Sequence, residues 1–297
     1  MKDLFFPATK DFYCQKAASF IKLLSMPGGG TTLPPVVCAP TVLCKCCGGL
    51  SRIFAVTDFN KSCCAAARPQ RLPYAGIPVY YHRCDACAFV FTVAFDHFSQ
   101  QDFLEHIYNP AYADVDGDYL EVRPKRNARA IAECFRDHRS ISILDYGGGT
   151  GRLAAELRRE GFCDVTTYDP FNPQFSRRPD RRFDCVLCYE VVEHAHDPVR
   201  LFGDLASLMA DESLLLFSTL LQPPEVSDLG SNWWYLAPRN GHVSLYTHAA
   251  LDAVLRPLGL NVISTNDEFH VAFRRIPAYA KNLIQEAPRA PIAAAAH

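Results

Sequence analysis

Cysteines at metal-ligand spacing stand in the N-terminal third of this sequence. Cys44 and Cys47 form one C-x-x-C pair, and Cys84 and Cys87 form a second. A tight turn inside such a pair directs both thiolates toward a single tetrahedral metal ion. The pairs are separated by 36 residues, more than the spacing of about 15–20 in simple zinc modules, so a loop must be inserted between them. The pattern predicts a structural zinc site with four thiolate ligands.

The cysteine pattern also leaves other arrangements open. Four further donors could each replace one of the assigned ligands: Cys46, Cys63, Cys64 and His82. The thiols could instead be buried without a metal, or one pair could be redox-active. A disulfide framework is not expected. Charged residues interrupt every apolar stretch of the N-terminus, so the default location is the cytoplasm, where thiols stay reduced.

A glycine-rich segment, DYGGGTG from Asp145 to Gly151, is the second chemical signal. Gly147, Gly149 and Gly151 give the spacing G-x-G-x-G. Glycines allow the backbone to approach a ligand closely and to adopt unusual dihedral angles. A dinucleotide fingerprint, G-x-G-x-x-G/A, would need a small residue where Arg152 stands. The spacing therefore disfavours a pyrophosphate-containing ligand.

Two aspartates end the predicted strands beside this glycine-rich segment. Asp145 closes the first strand, and Asp169 closes the next one, 24 residues later. An acid at the position of Asp145 suits the cationic groups of a sulfonium cofactor with an amino-acid tail. An acid at the position of Asp169 can accept hydrogen bonds from both hydroxyls of a ribose. The alternative is a phosphate-binding or merely tight turn, with Asp169 as an ordinary turn residue.

Strands and helices alternate from Ile141 onward, and they must position these groups. The predicted strands are ISILD, DVTTYD, FDCVLCYE, LLLFSTL, NVISTND and HVAFRRI. The predicted helices are GRLAAELRREG, DPVRLFGDLASLMA and THAALDAVLRPLG, the last with Thr247 as its N-cap. This order predicts a parallel sheet covered by helices on both faces, with the glycine-rich segment between its first strand and first helix.

Composition divides the chain into four predicted regions. Residues 1–40 are an N-terminal extension and linker, in which 1–25 could form a short amphipathic helix and 26–35 a Pro- and Gly-rich linker. Residues 41–108 are the Cys-rich module, 109–278 the α/β domain and 279–297 a Pro- and Ala-rich flexible tail.

The motif order ILDYGGGTG, YDP, FDCVLCYEVVEHAHDP and LLLFSTL resembles the class I S-adenosylmethionine-dependent methyltransferases. The resemblance covers roughly residues 141–276. It implies a Rossmann-like α/β fold, with a seven-stranded sheet whose last strand is antiparallel and S-adenosylmethionine as the cofactor. It also implies the cofactor contacts: Gly147, Gly149 and Gly151 beneath the cofactor, Asp169 on its ribose, and Tyr189 and Glu190 near its methionine end.

The cysteine pattern CKCCGG…YHRCDACAFVFT shows a second, looser resemblance. It is similar to N-terminal zinc-binding segments that precede some bacterial methyltransferases, including ones that act on sugars. The expected fold is therefore a class I methyltransferase sheet preceded by a small zinc-ribbon-like module. A closed site of four thiolates is structural, so zinc is expected to take no part in the chemistry.

One departure from the family pattern lies between Asp169 and Asp184. Only fourteen residues separate them, too few for the usual helix and third strand. The acid that normally contacts adenine after that strand has no clear counterpart. Phe171 is the candidate for stacking on adenine instead.

Histidines supply the candidates for a general base. Methyl transfer is an in-line displacement that depends on alignment, and a hydroxyl acceptor also needs a base. His194 leaves the family's fourth strand near the expected methyl group, although it could equally cap or pack the following helix. His242, in the loop after the fifth strand, could be a base or a substrate contact. Trp233, Trp234 and Tyr235 of the same loop could stack on a substrate or seal a core.

Charge and hydropathy limit the classes of partner. The formal net charge of −2 gives no reason to expect nucleic acid, and no apolar run approaches the roughly 20 residues that span a bilayer. The favoured function is O-methylation of a small molecule, a sugar or other polyol, in the cytoplasm. The alternative is an RNA- or protein-modifying methyltransferase that uses the Cys module for recognition. The sequence CYEV, where an N-P-P-Y-type motif would stand, disfavours methylation of nucleobase amines. A non-enzymatic adaptor is disfavoured by the intact acids and glycines.

Overall fold

The computed structural model describes residues 39–63, 72–109, 112, 116 and 121–281. The predicted N-terminal helix and linker, Cys64, and residues 282–297 of the predicted tail lie outside the described residues. The described residues form two β-sheets with helices between and around them.

The small sheet carries the cysteines. Its strands are β1 (Thr41–Leu43), β2 (Leu50–Asp58), β3 (Pro78–Cys84), β4 (Val90–Thr92) and β9 (Ser244–Leu245). All pairings in the order β1-β2-β3-β4-β9 are antiparallel. Two tight turns, which we call the cysteine knuckles, join β1 to β2 (residues 44–49) and β3 to β4 (residues 84–89). Since antiparallel neighbours bring both turns to the same end of the sheet, the two cysteine pairs meet there.

The last strand of the small sheet comes from far along the chain. Strand β9 pairs with β4 through Val90 opposite Leu245 and Phe91 opposite Ser244. The side chains of Phe89 and Tyr246 also meet, with ring centroids 4.9 Å apart. The small sheet is thereby joined to the α/β domain by backbone pairing and by a shared apolar core.

The large sheet has the alternating order expected from the sequence. Its strands are β5 (Ile143–Tyr146), β6 (Val165–Tyr168), β7 (Phe183–Cys188), β8 (Met209–Ser218), β10 (Asn261–Ser264) and β11 (Phe269–Phe273). They lie in the order β10-β11-β8-β7-β5-β6. Strands β6, β5, β7 and β8 are parallel, and β11 runs antiparallel to both of its neighbours. The mixed α/β methyltransferase-like fold is confirmed.

The expectation of seven strands is wrong for the described sheet, which has six. Residues 170–182, where the missing strand and its helix would stand, form only turns, bends and irregular chain. A helix of even two turns followed by a short strand and two connections needs more residues than this segment supplies. The sheet therefore ends at β6, beside the region where adenine was expected.

Helices cover both faces of the large sheet. The α-helices of the described residues are α1 (Gln100–His106), α2 (Val122–Cys134), α3 (Arg152–Arg159), α4 (Pro198–Leu208), α5 (Val226–Leu229) and α6 (His248–Leu255), of which α1 and α5 pack in the core of the small sheet. Helices α2 and α3 pack on one face, with Ile143 and Leu187, whereas α4 and α6 pack on the other, with Leu144 and Val186. The side chain of Thr247 accepts a hydrogen bond from the backbone of Ala250, so its predicted N-cap role is confirmed.

No helix in the part of the chain that the structure describes combines the length and apolar character needed to cross a membrane.

Candidate active site and metal centre

The cysteine knuckles bring the predicted ligands together. The sulfur atoms of Cys44 and Cys87 are 3.6 Å apart, and those of Cys47 and Cys84 are 3.4 Å apart. All four sulfurs lie within 4.8 Å of one another. Zinc–sulfur bonds of about 2.3 Å at tetrahedral angles require sulfur–sulfur distances of roughly 3.8 Å. The four thiols therefore fit a tetrahedral metal ion with only small adjustments.

The other donors considered from the sequence lie elsewhere in the described residues. Nε2 of His82 is 2.6 Å from the carbonyl oxygen of Ala39. The sulfur of Cys63 is 3.5 Å from Nδ1 of His242. Cys46 is a buried residue of the first knuckle whose backbone N–H donates to the sulfur of Cys44, but its own sulfur is not part of the four-cysteine group. The geometry favours Cys44, Cys47, Cys84 and Cys87 as the ligand set.

A cavity of about 1140 Å³ opens at the carboxyl ends of β5, β6 and β7. Parallel α/β sheets commonly bind ligands at this edge. Most of the predicted site residues line it: Asp145, Gly147, Gly149, Asp169, Phe171, Tyr189, Glu190 and His194. Gly151 lies at the start of α3 and His242 lies behind the wall, so neither is among the lining residues.

Two glycines shape the floor of the cavity. Gly147 has a φ of +71°, and a Cβ at this position would come within 2.4 Å of the Val191 side chain. Gly149 has a φ of +54°, and its backbone N–H donates to Oδ2 of Asp169 over 2.8 Å. Any side chain at Gly147 would collide with Val191, and one at Gly149 would be strained. The spacing of glycines in the sequence thus reflects steric and conformational requirements.

Asp145 places a buried acid in the cavity wall. Its side chain is 4 % exposed, and its Oδ2 has no hydrogen-bond partner among the described residues. Burial raises the pKa of Asp145 to about 7. An unpartnered carboxylate oxygen in an apolar environment is costly unless a cation or donor satisfies it. The cavity therefore suits a ligand with a positively charged or hydrogen-bond-donating group at this point.

Two backbone N–H groups orient the Asp169 side chain. Its Oδ1 accepts from the backbone N–H of Phe171 over 2.7 Å, and its Oδ2 accepts from Gly149. Each carboxylate oxygen keeps a second lone pair that can accept from a ligand hydroxyl. The Phe171 ring lies 5.7 Å from that of Tyr108 and is partly exposed. Asp169 and Phe171 both line the cavity.

Glu190 occupies a strained position at the end of β7. Its φ of +56° is unusual for a residue with a side chain and costs of order 1–3 kcal/mol. Oε1 accepts from the hydroxyl of Ser218 over 2.9 Å, and Oε2 forms an ion pair with Arg123. Arg123 also pairs with Asp116, and all three charged groups line the cavity. No sequence motif marks Arg123 as a site residue, because it lies on α2, 67 residues before Glu190.

The two candidate bases have different access to the cavity. Nδ1 of His194 is 3.2 Å from the carbonyl oxygen of Gly241, and Nδ1 of His242 is 2.8 Å from that of Tyr235. A carbonyl only accepts, so Nδ1 carries the hydrogen in both rings and Nε2 keeps its lone pair. Burial lowers the pKa of His194 to about 4 and that of His242 to about 3, so both are neutral at pH 7. Of the two, His194 has a side chain in the cavity wall.

Glu193 completes a cluster with these histidines. It is fully buried; its Oε1 accepts from the Tyr235 hydroxyl over 3.0 Å, and its Oε2 is unpartnered among the described residues. Ligand atoms of Glu193, His194 and His242 lie within 4.8 Å of one another, so they could hold a cation. Burial raises the pKa of Glu193 well above its usual range. Protonation of the Glu193 carboxyl would therefore remove the repulsion between its negative charge and the lone pairs of the two imidazoles.

The aromatic loop that contains Trp233 and Trp234 has two distinct environments. Trp233 and Tyr235 are buried and belong to the core under the small sheet. Trp234 is 52 % exposed. The sequence left open whether these aromatic residues stack on a substrate or seal a core. Trp233 and Tyr235 seal the core.

Comparison with protein families identifies the domain that holds this cavity. Residues 119–265 match the family model Methyltransf_23, described as a methyltransferase domain. The matched segment contains the glycine-rich loop, both predicted aspartates, Glu190, His194 and His242. No curated protein matches the sequence at a significant level.

Solved structures show more distant similarity. An O-methyltransferase family protein from Burkholderia thailandensis has 17 % identity and a TM-score of 0.46, with coverage of 61 % of this chain and 64 % of that chain. Magnesium protoporphyrin IX methyltransferase (ChlM) from Synechocystis PCC 6803, with bound SAH, has 16 % identity and a TM-score of 0.40, with coverage of 53 % and 86 %. The chain thus spans slightly less than two thirds of the Burkholderia protein. Because both TM-scores are below 0.5, the assignment of the domain depends on the family match.

Proposed function

We propose that the chain is a methyltransferase, because residues 119–265 match the model of a methyltransferase domain, and that it transfers a methyl group from S-adenosylmethionine to a hydroxyl group of a small molecule, a sugar or other polyol. The observation that carries the cofactor assignment is the buried Asp145, whose unpartnered Oδ2 lies beside the glycine loop. S-adenosylmethionine has both a sulfonium and an ammonium group, and either would satisfy this carboxylate. A pyrophosphate at the same place would be repelled by it.

We propose a contact for each part of this cofactor. We assign Gly147, Gly149 and Gly151 to the loop beneath it and Asp169 to its ribose hydroxyls. Tyr189 and Glu190 belong to its methionine end, and Phe171 to the face of its adenine. The short segment after Asp169 supports the last assignment, since it leaves the partly exposed ring of Phe171 at the edge of the sheet.

The acceptor hydroxyl is assigned to the neighbourhood of His194. When bound, the cofactor supplies an electrophilic methyl group on its sulfonium sulfur. The neutral Nε2 of His194 takes the proton of the hydroxyl as the oxygen–methyl bond forms and the sulfur–methyl bond breaks. His194 would then carry a positive charge as an imidazolium, which balances the charge that the methyl donor gives up. The remaining chemistry is alignment of the oxygen with the methyl group.

A polyol acceptor is supported by the polar groups at this end of the cavity. Arg123 and Asp116 can hydrogen-bond to several hydroxyls, and Tyr108 and His196 offer ring surfaces for the apolar face of a sugar. A macromolecular acceptor, recognised by the cysteine module, is the alternative.

Transfer of a labelled methyl group tests this proposal. Purified protein would be incubated with methyl-labelled S-adenosylmethionine and separate panels of sugars and polyols, RNA, and protein. We expect label in at least one hydroxyl-bearing small molecule and none in RNA or protein. Label that appears in RNA or protein alone would exclude the small-molecule assignment. Heat-inactivated protein is the control for non-enzymatic methylation.

We also propose that the cysteine knuckles bind one structural zinc ion. Metal analysis of protein purified without chelator should give about one zinc per chain. Replacing Cys44 or Cys87 with serine should abolish zinc binding, because three thiolates and a hydroxyl make a weaker site. Replacing the exposed Cys163 with serine is the matched control and should leave zinc content unchanged. A protein without any bound transition metal would contradict the assignment.

The raised pKa of Asp145 predicts a pH-dependent affinity for the cofactor. The carboxylate form binds a cation, and below pH 7 the free protein holds a proton that binding must displace. Affinity for S-adenosylmethionine should therefore weaken about tenfold from pH 8 to pH 6. Calorimetry in buffers of different ionisation enthalpy would detect the released proton. Asp145→Asn should remove the dependence; an unchanged slope in that variant would assign it to another group.

A further inference from the structure

Lys45 connects the first cysteine knuckle to the active site. It stands between the proposed ligands Cys44 and Cys47, and its side chain is 12 % exposed. Its ammonium group forms an ion pair with Asp96 and donates to the carbonyl oxygen of Thr92 over 2.9 Å. It also donates to the carbonyl oxygen of His196, again over 2.9 Å. A residue of the proposed metal site thus holds the backbone next to the proposed base.

The segment 192–196, which we call the acceptor segment, contacts the small sheet and its surroundings mainly through its carbonyl groups. Four of them accept hydrogen bonds from the small sheet, the residues that flank it or its knuckle. The donor–acceptor pairs are the Tyr246 hydroxyl to Val192 (3.0 Å), Val243 N to Glu193 (2.9 Å), the Ser244 hydroxyl to Ala195 (2.6 Å) and Lys45 Nζ to His196 (2.9 Å). Lys45 is the charged member of the set and holds its C-terminal end.

Two side chains of the same segment form part of the cavity wall. His194 and His196 both line it, and the His196 ring stacks on Phe103 at 5.7 Å with an interplanar angle of 22°. A shift of the His196 carbonyl would therefore move both imidazoles relative to the bound acceptor. The glycine loop and Asp145 lie on other elements and make no contact with Lys45.

We propose that Lys45 is a positioning residue, which couples metal binding at the cysteine knuckles to the alignment of the acceptor segment. A metal held by Cys44 and Cys47 fixes the backbone at residue 45, so that the long lysine side chain reaches the His196 carbonyl from a rigid base. Without the metal the knuckle loosens, and the lysine must give up more conformational entropy to make the same contacts. The metal then influences methyl transfer through geometry, although it takes no part in the chemistry.

This inference rests on the proposed zinc site, and its test does not require a known acceptor. Hydrogen–deuterium exchange would be measured in peptides that cover residues 191–201, for metal-loaded and metal-stripped forms of the wild type and of Lys45→Met. We expect exchange to be about tenfold faster in metal-loaded Lys45→Met and in stripped wild type, since each loses one anchor of a local structure. Removing the metal from Lys45→Met should increase the exchange rate little further, because the metal and the lysine act through one contact.

Lys61→Met is the matched control. Lys61 is also half-buried, and its ammonium donates to the carbonyl oxygens of Ser231 and Trp233, both over 2.6 Å. Its loss should speed exchange near residues 231–233 and leave 191–201 unchanged. Lys45→Arg keeps a cation at the knuckle and should retain most of the protection, which separates loss of this contact from general unfolding.

Binding of S-adenosylhomocysteine, measured in the same variants, separates this inference from the proposed function. Lys45→Met should bind it within about twofold of the wild type, because the two sites share no direct contact. Absence of binding in the wild type would refute the cofactor assignment alone. An unchanged exchange rate of residues 191–201 in Lys45→Met would overturn the coupling. The coupling would also be overturned if the increases caused by the substitution and by metal removal multiplied when both were made. Once an acceptor is identified, the coupling predicts a lower kcat with an unchanged KM for the cofactor.

Discussion

Turnover should fall by roughly 10²–10⁴-fold when His194 is replaced with alanine, the usual loss when a general base is removed. The reason is that His194 lines the cavity as a neutral imidazole whose Nδ1 is held by the Gly241 carbonyl, so that Nε2 keeps its lone pair. Affinity for S-adenosylmethionine should change by less than about twofold, since the cofactor contacts lie on other elements. Steady-state kinetics with labelled cofactor and calorimetry would give the two quantities separately.

The pH profile and a second variant make this prediction specific. The lowered pKa of His194, about 4, keeps the ring unprotonated at every pH above that value. Turnover at saturating cofactor should therefore show no acid limb from His194 between pH 8 and pH 6. His242→Ala should have a smaller effect, because His242 lies behind the cavity wall. Unchanged turnover in His194→Ala would rule out this base, and a collapse of cofactor binding would make His194 a structural residue.

Asp145→Asn should weaken binding of S-adenosylmethionine and S-adenosylhomocysteine by roughly 10²-fold, the cost of removing one partner of a buried charged contact. Asparagine has nearly the same shape, and Asp145 is already about half protonated at pH 7, so the fold should be retained. Gly149→Val should also abolish binding, because the side chain would be strained at a φ of +54°.

Asp164→Asn is the matched control for this variant. Asp164 forms an exposed ion pair with Arg181 away from the cavity, so its replacement should leave cofactor affinity unchanged. Thermal unfolding of all the variants would verify that they are folded. Wild-type affinity in Asp145→Asn would show that this carboxyl does not contact the cofactor.

The parts of the fold that could be predicted from the sequence depend on local chemistry. The strand–turn–helix unit around Asp145 and Gly151 has glycines where the backbone has positive φ angles. The N-cap of α6 needs a hydroxyl, and Thr247 supplies it. The cysteine pairs are also local, because each C-x-x-C turn encodes its own geometry. Only their meeting at one end of a sheet required the antiparallel pairing of β2 with β3.

The parts that could not be predicted depend on contacts between distant residues. Arg123 and Glu190 have no motif in common, yet their ion pair forms one wall of the cavity. Strand β9 is only two residues long, so no periodicity predicts it. The other strands of its sheet all lie before residue 93 in the sequence. The family pattern predicts a seventh strand, but the fourteen residues between Asp169 and Asp184 leave no room for it and its helix.

Calorimetric titration of the wild-type protein with S-adenosylhomocysteine tests the central claim most directly. This product keeps the ammonium group, the ribose and the adenine, and it cannot be consumed during the measurement. We expect saturable binding of one molecule per chain, weaker at pH 6 than at pH 8 and weakened roughly 10²-fold in Asp145→Asn. Tight binding of NAD together with no binding of S-adenosylhomocysteine or S-adenosylmethionine would contradict it.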